Sequence, residues 1–202
     1  MPGFYEEKIF PRVCDLLIRQ FEEFRPGVVS PAKGRVLEIG FGTGRNLPHY
    51  GKIDELVGLD PSGGMNQIAE KRSNKAGFPV KVVQGAAEKL PFPDAFFDTV
   101  VSTLTFCTIG DPAAAAREAR RVLKKDGRFL FVEHVLAPGR RTAQWQHRLN
   151  PMWKKVFCGC ELDRDTWKIF EQSGFDLSGA RRVTVDAPPI VRHLIVGEGR
   201  PV

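Results

Sequence analysis

Apolar residues along this chain follow two rhythms, short continuous runs and stretches spaced by three or four. The runs are Arg35 to Ile39, Glu55 to Leu59, Phe78 to Val83, Phe96 to Ser102 and Arg128 to His134, and they read as buried strands. Two more strands are predicted near Ala180 to Val185 and Val191 to Val196, as a hairpin-like terminal pair. Helical spacing joins Phe10, Val13, Leu17, Phe21 and Phe24 into an amphipathic helix with Pro11 in its first turn, leaving Phe4, Tyr5 and Ile9 as a leading segment. Arg25-Pro26-Gly27 and Pro31 break that pattern. Further helices are expected from Pro61 to about Gly77, from Asp111-Pro112 through Lys125 with Gly127 following, and from an Asp163 cap through Trp167 and Phe170 to Gly174. Strands alternating with helices imply a parallel sheet with right-handed crossovers, and such sheets bind ligands at the carboxyl ends of their strands.

One of those ends is unusual. Glu38 precedes Gly40, Gly42 and Gly44, three glycines on alternate positions at the close of the first strand. Glycine lets backbone come close to a ligand, so the turn predicts a Rossmann-like nucleotide site. The dinucleotide fingerprint needs its third glycine at position 45, which is Arg45. A carboxylate before the turn repels a pyrophosphate but accepts hydrogen bonds from an ammonium group, directly or through water. A cationic ligand therefore fits better than NAD. The second strand ends on Asp60, 20 residues after Gly40, near the spacing at which a carboxylate accepts from ribose hydroxyls. Asp60 also suits the role of N-cap for the helix that follows.

Composition narrows the class. The chain has 202 residues, 42% hydrophobic and 27% charged, consistent with one domain, 1–202, opening on an N-terminal helical segment, 1–30. No apolar run approaches the ~18 residues that span a bilayer, and the start lacks the basic and apolar regions of a secretory signal. A cytoplasmic location is expected. Net charge is +6, but the basic residues are dispersed and Arg117, Arg120, Arg121, Lys124 and Lys125 suit a solvated helix face, so nucleic acid is not the favoured partner. Cys14, Cys107, Cys158 and Cys160 are expected as reduced thiols, Cys107 as a small buried filler. Cys158-Gly159-Cys160 lacks zinc-ligand spacing, and no metal is expected. Oligomeric state is not legible.

The Glu-x-Gly-x-Gly-x-Gly pattern with Asp60 resembles class I S-adenosylmethionine (SAM) methyltransferases, over about Val36 to Val196. The resemblance implies an α/β fold with a seven-stranded, mostly parallel Rossmann-like sheet, helices on both faces and SAM as cofactor. It implies cofactor contacts at Glu38, Gly40, Gly42, Gly44, Asn46, Asp60, Pro61, Met65, Ala86, Ala87, Glu88 and Thr103. Ala86 stands where the family's Gly-Asp-Ala-Glu-x-Leu-Pro-Phe segment has an aspartate, so that adenine contact is absent. Glu133-His134, Gln144 to Gln146, Pro151-Met152-Trp153 and Cys158 to Lys168 are similar to the methyltransferase-like 7 group of thiol methyltransferases. Those animal proteins carry an apolar N-terminal anchor; no such run is expected here, so the resemblance does not carry membrane association over. Between Ala137 and Leu162 simple alternation stops, and Trp145, Trp153 and Phe157 interleaved with basic residues predict an inserted helical cover, 137–162.

Methyl transfer from a sulfonium mainly needs alignment and exclusion of water. His134, after the fifth strand, is the candidate base and Glu133 its candidate partner, although neighbouring strand residues face opposite ways and a structural histidine on a carbonyl is an equal reading. Tyr5, Phe106, Trp145 and Trp153 are candidates for an apolar acceptor wall or for core. Three activities stay open: methylation of a small, partly apolar acceptor such as a thiol, methylation of nucleic acid, and SAM binding without catalysis.

Overall fold

A computed structural model describes residues 5–202, apart from the side chains of Glu6, Arg12, Cys14, Leu17, Arg19 and Gln20. Phe4 of the leading segment, Leu17 of the helical stripe and the Cys14 thiol lie outside the described residues. Strands β1 (Arg35–Ile39), β2 (Glu55–Asp60), β3 (Val80–Gln84), β4 (Phe97–Thr103), β5 (Leu123–His134), β6 (Phe175–Thr184) and β7 (His193–Pro201) form one sheet. Their order is β3-β2-β1-β4-β5-β7-β6, with β1 to β5 parallel and β7 antiparallel to both neighbours. Helices α1 (Phe10–Leu17), α2 (Phe24–Val29), α3 (Gly63–Ser73), α4 (Pro112–Val122), α5 (Arg140–Val156) and α6 (Thr166–Gln172) complete the fold.

Alternation along the strands divides the core in two. Leu37, Val100, Phe129, Phe131 and Ile195 pack with Ala115, Ala116 and Ala119 of α4 and Phe170 of α6. Their neighbours Val36, Val101, Leu130, Val132 and Leu194 pack on the other face with Val28 and Val29 of α2 and Ala69 of α3. Side chains one residue apart on a strand leave opposite faces, so each strand serves both layers. Among the described residues no helix is long and apolar enough to cross a membrane.

Several predicted boundaries move. The single helix over Phe10 to Phe24 is instead α1, a 3₁₀ turn at Ile18–Phe21, and α2. Arg25-Pro26-Gly27 does not break structure but opens α2, where proline fits the first turn because its missing N–H has no partner there. Val13 faces out, 37% exposed. Helix α4 stops at Val122, and Leu123 already pairs with Phe97, so Lys124 and Lys125 belong to β5 and not to a helix face. The strand irregularity between Phe97 and Thr99 absorbs those residues, with Lys124 Nζ bonded to Asp98. Ser62, accepting from Met65 N at 3.2 Å, caps α3, which begins at Gly63 and not at Pro61. Asp165 caps α6, leaving Asp163 to pair with His147.

The larger core half centres on Phe170, whose ring lies 4.7 Å from Phe106, 4.9 Å from Phe129 and 5.0 Å from Phe131. Phe170→Ala should cost about 3–5 kcal/mol of stability by urea unfolding. A loss below about 1 kcal/mol would show that the surrounding rings close the space without it.

Candidate active site

Turns following β1, β2, β3 and β4 lie at one edge of the sheet and wall a cavity of about 570 Å³, within the size range of small-molecule sites. Gly40 opens the first turn at φ +68°, and the N–H groups of Gly40 and Phe41 both donate to Leu59 O, at 2.9 and 3.0 Å. A Cβ on Gly40 would strike the Thr105 side chain, so the first and fourth turns meet only through a glycine. Gly42 N donates to Asp60 Oδ2 at 3.0 Å and Ser62 N to Oδ1 at 2.9 Å. Each carboxylate oxygen accepts two bonds, so Asp60 keeps acceptor capacity for a ligand diol. Burial raises its carboxyl above the usual range, and the two N–H bonds oppose that shift.

Below the wall lies a buried polar network. Glu38 accepts from Tyr50 OH at 2.6 Å and from Asn46 Nδ2 at 2.9 Å. Asn46 Oδ1 accepts from Arg25 Nη1 at 2.7 Å, and the same nitrogen reaches Thr103 Oγ1 at 3.3 Å. Burial pushes Glu38 up to about 7, against the bonds from Tyr50 and Asn46 and the Arg25 cation. Glu38, Gly44 and Asn46 thus sit behind the wall, while Gly40, Gly42, Asp60, Pro61, Met65, Ala86, Ala87, Glu88 and Thr103 line it. Glu38 positions Asn46, and Asn46 positions Arg25, which does reach the wall. Arg25 was hidden in sequence by its place in a proline-glycine stretch; the only local signal was proline at a helix start.

The N-terminal segment closes the opposite side with Glu7, Phe10, Asp15 and Ile18. The Glu7 carboxylate accepts from Gly64 N. Asp15 accepts from Thr43 Oγ1 and pairs with Arg72 at 2.6 Å, and Arg45 donates to the Asp15 carbonyl at 2.9 Å and to Glu22 at 2.7 Å. Glu7, Asp15, Asp60 and Glu88 face the cavity against Arg25 and Arg45. This acidic balance favours a ligand with net positive charge.

The expected catalytic and acceptor residues lie elsewhere. Glu133 accepts from Ser102 Oγ at 2.6 Å, Thr105 N at 2.9 Å and Phe106 N at 3.0 Å, so it holds the turn after β4; burial pushes it up to about 7. His134 leaves the opposite face of β5, its Nε2 3.0 Å from Ile190 O, with its pKa brought down to about 4, chiefly by burial. Neither lines the cavity. Phe106 is fully buried in the core, Trp145 is exposed, Trp153 stacks on Phe157 at 3.9 Å, and Tyr5 donates to Val156 O at 3.1 Å. None of the four reaches the wall, whose apolar residues include Phe10, Ile18, Leu104, Ile109 and Cys158. The predicted cover forms α5, but residues 137–162 touch the cavity only through Cys158. Gln146 is buried against Ala137 N at 2.8 Å and Ile190 O at 3.0 Å, which ties α5 to the segment that follows β5.

A sheet in this order, with an acid-clasped glycine turn at its carboxyl edge, is the nucleoside-binding fold of methyltransferases. A family model described as a methyltransferase domain matches residues 37–131. Thiol S-methyltransferase TMT1B of Homo sapiens is 33% identical over 175 residues, 84% of this chain and 70% of that protein. Thiol S-methyltransferase TMT1A of Homo sapiens is 34% identical over 146 residues, 69% of this chain and 59% of that protein. The chain thus spans between about three fifths and about seven tenths of the length of these human relatives. The crystal structure of the YcgJ protein from Bacillus subtilis is similar with a TM-score of 0.64 at 27% identity, over 82% of this chain and 70% of that one. The chain belongs to the class I SAM-dependent methyltransferases.

His134 offers a test of its structural placement. In the unfolded chain the ring takes up a proton near pH 6.5, and in the fold only near 4. The unfolded state therefore binds more protons across that window, and the ring's contribution to stability falls as pH drops through it, by up to about 3 kcal/mol. His134→Gln lacks this component, so the stability gap between the two proteins in urea should shift against the histidine form between pH 7 and pH 4.5. A gap independent of pH would show that the ring is not held neutral.

Proposed function

We propose that this protein transfers the methyl group of SAM to a small, partly apolar acceptor, and that the acceptor atom is a thiol sulfur. The observation that carries the reading is the Asp60 clasp, a carboxylate fixed by Gly42 and Ser62 with acceptor capacity left over at the cavity. SAM supplies an activated methyl group on a sulfonium. Asp60 takes the ribose hydroxyls, the Gly40 to Gly42 backbone lies along the amino-acid portion, and Arg25 receives its carboxylate. Ala86, Ala87 and Glu88 border the base. The acidic wall suits a cofactor that carries a sulfonium and an ammonium, and the same wall repels a phosphodiester backbone.

Two observations favour a thiol. The relatives TMT1A and TMT1B are named thiol S-methyltransferases. No histidine lines the cavity among the described residues, and Glu133 and His134 are engaged in structural bonds. A hydroxyl acceptor needs a base to remove its proton, whereas a thiol with a pKa of about 8.5 ionises appreciably near neutrality on its own. Phe10, Ile18, Leu104 and Ile109 supply the apolar surface that such an acceptor needs.

Calorimetry with SAM should show binding, and Asp60→Ala should weaken it by roughly 10- to 100-fold, the loss of a charge-assisted hydrogen bond. Undiminished binding would remove the ribose role of Asp60. For the acceptor, alkyl thiols, amines and phenols are assayed for release of S-adenosylhomocysteine. Thiols alone should turn over, with rates that rise with pH as each thiol ionises; turnover restricted to amines or phenols would overturn the thiol assignment.

A further inference from the structure

Two cysteines that the methyl-transfer reading leaves unused lie together at the edge of the acceptor wall. Cys107, in the turn after β4, is buried, and its carbonyl accepts from Glu161 N at 2.8 Å, which sets residue 160 beside it. The Cys107 thiol donates to Leu104 O at 3.7 Å, and the two cysteine side chains shift each other's ionisation in opposite directions. Cys160 is half-buried, and the Trp153 indole N–H, a buried donor with no hydrogen-bond partner among the described residues, favours its thiolate. The Arg164 guanidinium, held by the carbonyls of Phe106 and Ile109, adds positive charge nearby. These three influences lower the Cys160 pKa, while the pairing and burial raise that of Cys107. The asymmetry is that of an attacking thiolate beside a protonated resolving thiol. The loop that carries Cys160 is wound tightly, with Cys158 at φ +47° and Gly159 at φ +95°, and Cys158 itself is in the cavity wall.

We propose that Cys160 and Cys107 form a redox-active dithiol that reduces low-molecular-weight disulfides and closes into a disulfide joining the β4 turn to the 157–162 loop. The Cys160 thiolate attacks one sulfur of RS–SR; the S–S bond breaks, RS⁻ leaves and takes a proton, and a Cys160 mixed disulfide remains. Cys107 gives up its proton and attacks the Cys160 sulfur, expelling the second RS⁻, which is protonated in turn. The protein loses two thiols and the disulfide becomes two RSH. Both joined segments line the cavity, through Thr105, Thr108 and Ile109 on one side and Cys158 on the other, so the bond ties two parts of the acceptor wall together.

The test treats the full chain with bis(2-hydroxyethyl) disulfide and follows it by mass spectrometry, a readout independent of methyl transfer. The native protein should lose two thiols and give a Cys107–Cys160 cross-linked peptide, and Cys158→Ser should do the same. Cys107→Ser should stop at a mercaptoethanol adduct on Cys160, and Cys160→Ser should leave Cys107 unmodified at least tenfold longer. A Cys158–Cys160 cross-link, or native protein that keeps both thiols under conditions that oxidise dithiothreitol, would overturn the proposal, and neither result depends on any variant folding.

Discussion

Two backbone N–H groups donating into one carboxylate hold the functional edge of this protein together. Gly42 comes from the turn after β1 and Ser62 from the turn after β2, and Asp60 accepts from both at 3.0 and 2.9 Å. Without that carboxylate the two turns would each carry an N–H with no partner on a partly buried edge, which costs roughly 1–3 kcal/mol per group. The bond also sets the shape of the glycine turn, because Gly42 must present its N–H toward β2 while Gly40 takes φ +68° under Thr105. Structure and ligand chemistry coincide here: the side chain that joins the turns is the one that keeps spare acceptor capacity at the cavity.

Two further buried carboxylates repeat the device one layer deeper. Glu38 at the end of β1 and Glu133 at the end of β5 are both fully buried, and burial pushes both up to about 7. Each is surrounded by donors instead of cations in direct contact: Tyr50 and Asn46 for the first, Ser102 and the Thr105 and Phe106 N–H groups for the second. A buried carboxylate with that many donors is a bracket, since any movement of the donors leaves acceptors unmet in a low-dielectric interior. Glu38 fixes Asn46 and thereby Arg25; Glu133 fixes the turn whose Thr103, Leu104 and Thr105 face the cavity. The strand ends are therefore rigid supports.

Sheet, glycine turn and Asp60 were legible in sequence because local residue types encode them. Apolar runs, alternate glycines and an acid at a strand end each require nothing beyond their neighbours. Glu7, Asp15 and Arg25 were not legible as wall residues, because their placement depends on the N-terminal segment folding back; Glu7 meets Gly64 across 57 positions of chain. The opposite error befell Trp145 and Trp153, whose aromatic character suggested a pocket lining. Gln146 turns α5 toward β5 and leaves Trp145 exposed, an outcome set by one buried amide and invisible to periodicity. His134 and Glu133 were placed at the correct strand end, but their partners, Ile190 O and the β4 turn, come from distant chain.

The division of labour between the two halves of the cavity follows from how each is held. One side is built from strand-end turns tied by backbone bonds, so its geometry tolerates little variation. The other side is built from side chains of the N-terminal segment, and it meets the turns through ion pairs of Asp15 with Arg72 and Arg45 with Glu22 as well as the bonds from Gly64 N to Glu7 and from Thr43 Oγ1 to Asp15. Such partly exposed pairs contribute little to stability, commonly less than about 1 kcal/mol each. They register one surface against another, and the buried bonds of Arg25 to Asn46 and Thr103 add to that hold. For the proposed thiol acceptor, which needs no base from the wall, alignment in a cavity walled on both sides is the main contribution the protein has left to make.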